Sequence, residues 1–297
     1  MIPSPTRRAV LTGAASTAAL AALAGPATAT GPVAPLTAAP RSPSGLPTWA
    51  TGHVALFFAA HQDDELLQMG SQVRADVEAG HQVVVVNCSD GSASVARAGR
   101  VAQRLGYVPT VEDFVRVRDH EFLESCARLG VPIQGRVISP DRYTDGTGTR
   151  ELAARIVDQW VTRFPTALVR CHSFMDAHRD HRSLGEAVDD LVSTHQLNLA
   201  NDVRFFFSRR YLGVLDTPPL QQVRRPVGDV EQTPFRAAEV AHGRWGVGYL
   251  STWGYFDAHR ADPVSYYHRG SVGIPRPMRL THPERLDPAT LPAGHGC

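Results

Sequence analysis

Residues 82–88, Gln-Val-Val-Val-Val-Asn-Cys, are an almost unbroken β-branched run, and no other stretch restricts the fold as much. Without polar alternation, such a run suits a parallel strand buried on both faces, where helices cover the sheet from either side. The surrounding pattern supplies those helices. An apolar run at 54–59 is of strand length. Leu66, Met69, Val73 and Val77 follow at helical spacing until Gly80, which predicts a helix over 65–79. Ser89-Asp90-Gly91 turns the chain, and a helix is expected over 111–129, with Val115, Phe122, Cys126 and Leu129 on one side and Gly130 as its stop. A strand at 136–138, a helix at 152–164, a strand at 167–171, a helix at 183–194 and a strand at 203–207 continue the alternation. Such alternation implies βαβ units with right-handed crossovers. The expected fold class is α/β: a single doubly wound, Rossmann-like, mostly parallel sheet with helices on both faces. Prolines 218, 219, 226, 234 and 263 interrupt any later period, so residues 211–297 read as an irregular C-terminal extension, with 234–241 as its one helical candidate.

The amino terminus has a different character. Arg7-Arg8 precede an uncharged Ala- and Leu-rich run from Ala9 to Leu23, and Ala27-Thr28-Ala29 is a small-residue cleavage pattern. That run is shorter than the ~20 apolar residues of a membrane span. The paired arginines suit twin-arginine export. Residues 1–29 are then a signal peptide, 30–49 a Pro- and Ala-rich linker, and 50–297 the folded domain of a secreted protein without a stable membrane anchor. Removing Arg7 and Arg8 with the leader takes the formal charge from +1 to −1, a balance that argues against nucleic acid as partner. Cys88, Cys126, Cys171 and Cys297 are spaced too irregularly for a zinc ribbon, and Cys88 and Cys171 sit in apolar runs as buried thiols do.

Chemistry concentrates at His61-Gln62-Asp63-Asp64, where a strand ends and a helix begins. Open α/β sheets place ligands at such junctions. One carboxylate there serves as a helix cap, but capping has no use for a histidine and two adjacent acids. His61 and Asp64 are three apart and point the same way once the helix starts. A further donor is expected from Asp176-Ala177-His178-Arg179-Asp180-His181, which repeats the strand-loop-helix setting. Two imidazoles and a carboxylate, with one position left for water, are the ligand set of a catalytic zinc site. His172, at the end of its strand, is an alternative ligand. Asp257-Ala258-His259-Arg260 repeats part of the loop without a preceding strand and reads as surface or pocket wall.

In these motifs the chain resembles the PIG-L/LmbE-like zinc-dependent de-N-acetylases. Their His-x-Asp-Asp-Glu motif is matched by His61, Asp63, Asp64 and Glu65, and their His-x-Asp-His loop by His178, Asp180 and His181. Asn87-Cys88-Ser89-Asp90-Gly91 is similar to the family's strand and turn, and Arg118-Asp119-His120-Glu121 to its Arg-x-x-Glu helix. Gln62 stands where the family often has proline. The resemblance implies Zn2+, or another divalent metal, held by His61, Asp64 and His181, with Asp63 as general base. It implies His178 as a protonated group for the oxyanion or leaving amine, with Asp180 orienting it. Arg118 and Asp90 are the implied substrate-binding residues. The implied reaction is removal of an N-acetyl group from an amino sugar or an N-acetylglucosamine glycoconjugate, small or oligosaccharide.

Two other readings use the same residues. The pair of histidines with one carboxylate also binds Fe(II) in oxygenases, and a secreted sugar-binding protein with a relict metal site needs no base. A spare Asp63 favours hydrolysis over both. For export, the mature protein is expected to begin at Thr30 on amino-terminal sequencing, and Arg7→Lys with Arg8→Lys is expected to abolish export. Secretion that persists in the double variant contradicts the twin-arginine reading.

Overall fold

The computed structural model describes residues 53–194, 196–197, 202–212 and 219–270. The expected signal peptide, the linker and Cys297 lie outside them. In chain order the regular elements are β1 Val54–Ala59, α1 Asp64–Leu67, α2 Gly70–Glu78, β2 Gln82–Ser89, α3 Ala102–Leu105, α4 Val111–Arg128, β3 Arg136–Tyr143, α5 Arg150–Arg163, β4 Leu168–His172, α6 Arg179–Ser193, β5 Arg204–Phe207, β6 Gln221–Arg224, α7 Asp229–Arg236, α8 Val247–Ala261 and β7 Val264–Arg269. They form a seven-stranded sheet of order β3-β2-β1-β4-β5-β7-β6. The first five strands are parallel, and β7 pairs antiparallel with both β5 and β6. The doubly wound α/β fold read from the alternation is the fold observed.

Strand alternation sorts the core into two layers. Leu56 and Phe58 of β1, with Val84 and Val86 of β2, face Ile156 and Val157 of α5 and Leu184 and Val188 of α6. Phe57, Val83 and Val85 face the other way, toward Val73 of α2, Phe122 and Cys126 of α4, Phe235 of α7 and Phe256 of α8. This two-sided burial is why β2 needed no polar alternation. Cys88, Cys126 and Cys171 are buried free thiols. Strand order reverses between β1 and β4, so the chain leaves their carboxyl ends in opposite directions and opens a crevice there.

Several boundaries differ from the sequence reading. The helix expected over 65–79 is two helices, broken at Gln68-Met69, and the break lets Gln68 turn toward the crevice. In α4 the buried side carries Phe114 and Val117 rather than Val115. The short strand at 136–138 runs on to Tyr143, past a register shift opposite Asn87 and Ser89. Helix α6 begins at Arg179, capped by His178, so Asp180 and His181 belong to its first turn and not to a loop. The C-terminal part contains regular elements among its described residues, β6, α7, α8 and β7. Pro219, Pro226 and Pro263 fall between elements, and Pro234 lies inside α7, where proline spacing obscures helical pattern.

His268 on β7 is buried. Its Nδ1–H donates to the Arg269 carbonyl oxygen at 2.9 Å, and its Nε2 accepts from the Ser173 hydroxyl at 2.8 Å. Burial lowers its pKa from 6.5 to about 4, so the folded protein holds a neutral ring. As pH falls below 6.5 the unfolded chain takes up a proton that the native state refuses, so stability is lost down to about 4. Denaturant unfolding between pH 7 and pH 4 is expected to lose less stability in His268→Gln than in wild type. Equal acid sensitivity of the two contradicts this account.

Candidate metal centre

The carboxyl ends of β1 and β4 bring His61, Asp64 and His181 to one point. His61 Nδ1 lies 3.2 Å from Asp64 Oδ2, His181 Nε2 lies 3.1 Å from the same oxygen, and the two nitrogens are 3.2 Å apart. Helix α6 reaches this position because Gly185 has no side chain. A Cβ there would meet the Phe174 nitrogen at 2.3 Å and the His172 carbonyl oxygen at 2.7 Å, so only glycine lets α6 sit directly on the chain leaving β4.

The outer nitrogens decide what the inner ones are. His61 Nε2 faces Asp145 Oδ1 at 3.1 Å and Asp180 Oδ2 at 3.2 Å. His181 Nδ1 lies 3.1 Å from Asp176 Oδ2. Asp145 and Asp180 hold the His61 proton on their own side, as acids behind metal-binding histidines do, while His181 Nδ1 also lies 3.3 Å from the Gln68 amide nitrogen. His61 Nδ1 and His181 Nε2 both face one carboxylate oxygen, and a bound cation takes their lone pairs in place of protons. Three such donors repel unless a cation lies between them. Ligand bonds of about 2.0–2.1 Å in a tetrahedron set neighbouring donors about 3.3 Å apart, so the triangle fits a zinc-sized ion.

The titration behaviour expresses the same demand. Burial lowers the His181 pKa, but Asp64 and Asp176 outweigh it and lift the group to about 10. Burial is likewise overcome at His61, which Asp145, Asp180 and Asp64 hold well above its ordinary value. Asp64 is pulled far below the carboxylate range by His181 and His172 despite its burial.

His172 is no free ligand. Its Nε2 accepts the Ala60 N–H at 3.0 Å, and its Nδ1–H donates to Gln68 Oε1 at 3.1 Å. It stacks on His181 with centroids 3.9 Å apart and, by burial, is held neutral with a pKa of about 3. Gln68 also donates from Nε2 to Asp64 Oδ1 at 3.0 Å, so one amide orients both residues.

Asp63, beside the triangle, is 6% exposed and lines a cavity of about 250 Å³. Burial raises its pKa to about 7 against the opposing pull of Arg118, whose Nη2 lies 3.4 Å from Asp63 Oδ2. Arg118 also lines the cavity and donates to the Gly91 and Gln62 carbonyl oxygens at 3.0 and 3.3 Å. Asp90 does not line it. Its Oδ1 accepts the Ser92 and Asp145 N–H groups, each at 2.9 Å, so it braces two turns.

His178 and Asp180 sit together but not as the sequence implied. The Asp180 carboxylate accepts the Gly146 and Gly148 N–H groups at 2.8 Å each and faces His61, not His178. A Cβ on Gly148 would meet Asp180 Oδ1 at 2.6 Å, which explains glycine there. His178 receives only the Asp180 backbone N–H, at its Nδ1, 3.2 Å away. Burial, with His61 and His181 adding to it, lowers His178 to about 3, so it is a neutral imidazole carrying its proton on Nε2. It joins His61 and His181 in a looser group whose nitrogens lie within 4.8 Å of one another.

Asp145, Gln68 and Asp176 carried no assigned role in the sequence reading. Gln68 stands four residues after Asp64, a helical spacing that signals contact. Asp145 lies in Tyr-Thr-Asp-Gly, which looks like any turn, and only the fold brings it to His61.

Residues 56–192 match the family described as PIG-L, GlcNAc-PI de-N-acetylase. Nothing among the curated proteins matches the chain. Among solved structures, a triple mutant of a deacetylase from the teicoplanin biosynthetic pathway is 18% identical, covering 74% of this chain and 99% of that one, at a TM-score of 0.50. The N,N′-diacetylchitobiose deacetylase of Pyrococcus horikoshii is 16% identical over 69% and 74% of the two chains, at 0.45. The 4-carboxy-2-hydroxymuconate hydratase GalB of Pseudomonas putida is 17% identical over 73% and 95%, at 0.44. At such identities the likeness is one of fold. The match to the PIG-L, GlcNAc-PI de-N-acetylase, family over residues 56–192 takes in both motifs, His61 to Glu65 and His178 to His181.

Proposed function

We propose that the chain is a secreted metal-dependent hydrolase that removes an N-acetyl group from an amino sugar or an N-acetylglucosamine-containing glycoconjugate. The observation that carries this reading is a close triangle of two imidazole nitrogens and a carboxylate oxygen, with a further carboxylate, Asp63, beside it on a cavity wall. His61, Asp64 and His181 would hold the cation. A divalent ion in such a site polarises an amide carbonyl and lowers the pKa of a bound water to about 7. Asp63 takes the proton of the attacking water. Burial raises its pKa, and a bound cation beside it pulls the other way. His178 donates from Nε2–H to the oxygen that gains charge, as a neutral imidazole and not as the imidazolium the family resemblance implied. Arg118 keeps Asp63 in place and adds positive potential beside the developing charge.

A cavity of about 250 Å³ lies just below the ~300–1,000 Å³ usual for small-molecule sites. It suits one sugar ring, with the rest of a larger glycoconjugate outside. Two nitrogens and one oxygen suit zinc, and the same set suits Fe(II). Metal analysis with an oxygen-free assay separates the two. An intact Asp63 favours turnover over a sugar-binding role.

Acetate release from a panel of N-acetylglucosamine glycosides and oligomers is expected with one metal per chain. Asp63→Ala is expected to lower turnover about 100- to 10,000-fold while leaving the metal bound. Metal lost along with activity makes Asp63 a ligand and contradicts the assignment. Asp145→Asn and Asp180→Asn are each expected to weaken metal affinity about 10- to 100-fold in a chelator competition. Unchanged affinity in both contradicts the role of the outer carboxylates.

A further inference from the structure

Helix α8 brings to the cavity a residue that the chemistry above leaves idle. Ser251, Tyr255 and His259 recur every four residues along α8, and all three border the cavity. His259 is 3% exposed, and its tautomer is determined by a neighbour. Gln232 Oε1 accepts from Arg236 Nε at 2.8 Å, so the amide nitrogen is the end turned toward α8. That nitrogen donates to the Phe256 carbonyl oxygen at 3.1 Å and lies 3.4 Å from His259 Nδ1. Nδ1 is therefore an acceptor. In a neutral ring the proton is then on Nε2, and burial, with repulsion from Arg209, keeps the ring neutral. Nε2 has no hydrogen-bond partner among the described residues. Buried donors are almost always satisfied, and an exception in a cavity wall calls for a partner that arrives from outside.

The surroundings say what kind of partner. Ser208 and Arg209, which follow β5, border the same cavity and are also donors. Arg209 is spent on the Ala258 carbonyl oxygen and Asp262. The cavity's carboxylates, Asp63, Asp64 and Asp145, all belong to the metal centre. We infer that His259 is a substrate-binding residue whose Nε2–H donates to an acceptor oxygen, a hydroxyl or ring oxygen of the sugar, away from the scissile amide. The inference rests on the deacetylase reading and adds a specificity contact from the C-terminal part of the chain, outside residues 56–192.

The test compares His259→Gln with His259→Asn in the metal-loaded protein. A glutamine amide nitrogen reaches the position of Nε2, whereas asparagine reaches only that of Nδ1, and both keep a polar side chain against Gln232. Acetate release from N-acetylglucosamine and N,N′-diacetylchitobiose gives kcat and KM, and equilibrium dialysis gives sugar binding. The expected result is a KM raised about 10-fold in the asparagine variant, the worth of one hydrogen bond. Its kcat stays within about threefold, its metal content is unchanged, and the glutamine variant stays close to wild type. Asparagine and glutamine variants with the same KM, or a loss confined to kcat, overturn the inference alone. Wild-type protein that neither cleaves nor binds either sugar overturns the deacetylase reading and this contact with it.

Discussion

Two imidazoles with their outer nitrogens held by carboxylates are the constraint on which the site depends. Asp145 and Asp180 keep the proton of His61 at Nε2, and Asp176 lies 3.1 Å from His181 Nδ1. The inner nitrogens both face Asp64 Oδ2, a carboxylate that is itself strongly acidic. A cation relieves this crowding. The raised pKa values of His61 and His181 and the tetrahedral spacing of the donors are two expressions of one electrostatic demand.

The doubly wound sheet meets that demand by topology. Strand order reverses between β1 and β4, so the helices that follow them, α1 and α6, start on either side of a single crevice with Asp64 on one and His181 on the other. Glu121 then ties the C-terminal part to the same frame. Its carboxylate accepts the Val247 and Gly248 N–H groups at 2.7 and 2.9 Å, anchoring the start of α8 to α4. Arg118, one turn earlier on α4, restrains Asp63. One helix thus positions Asp63 on one side and the distal wall of the cavity on the other.

Much of this was legible in the residues. The β-branched run of β2, the strand lengths and the paired strand-loop-helix motifs pointed to the sheet and to the two motifs meeting above it, and the family resemblance implied His181 as the donor of the second. Gln62 was not legible. Its amide donates to the Asp90 carbonyl oxygen at 3.0 Å and to Asp119 Oδ1 at 2.8 Å, so hydrogen bonds stiffen a loop that proline often stiffens in the family. Asp145 was passed over and Asp180 paired with the wrong histidine for a related reason: a carboxylate's partner across the fold is invisible to spacing along the chain. Helix α8 was missed because Gly246, Gly248 and Gly254 dilute its apolar pattern, and α8 is held instead by Glu121 and by packing against Phe235.

The most direct measurement is the coordination shell of the zinc-loaded protein, by X-ray absorption and by an anomalous-difference map of its crystals. The account predicts one zinc per chain bound by His61 Nδ1, His181 Nε2 and one Asp64 oxygen at about 2.0–2.1 Å, with Asp63 unbound and the outer carboxylates still on the two rings. Zinc held by His178 in place of Asp64, or bound between Asp145 and Asp180, would contradict it.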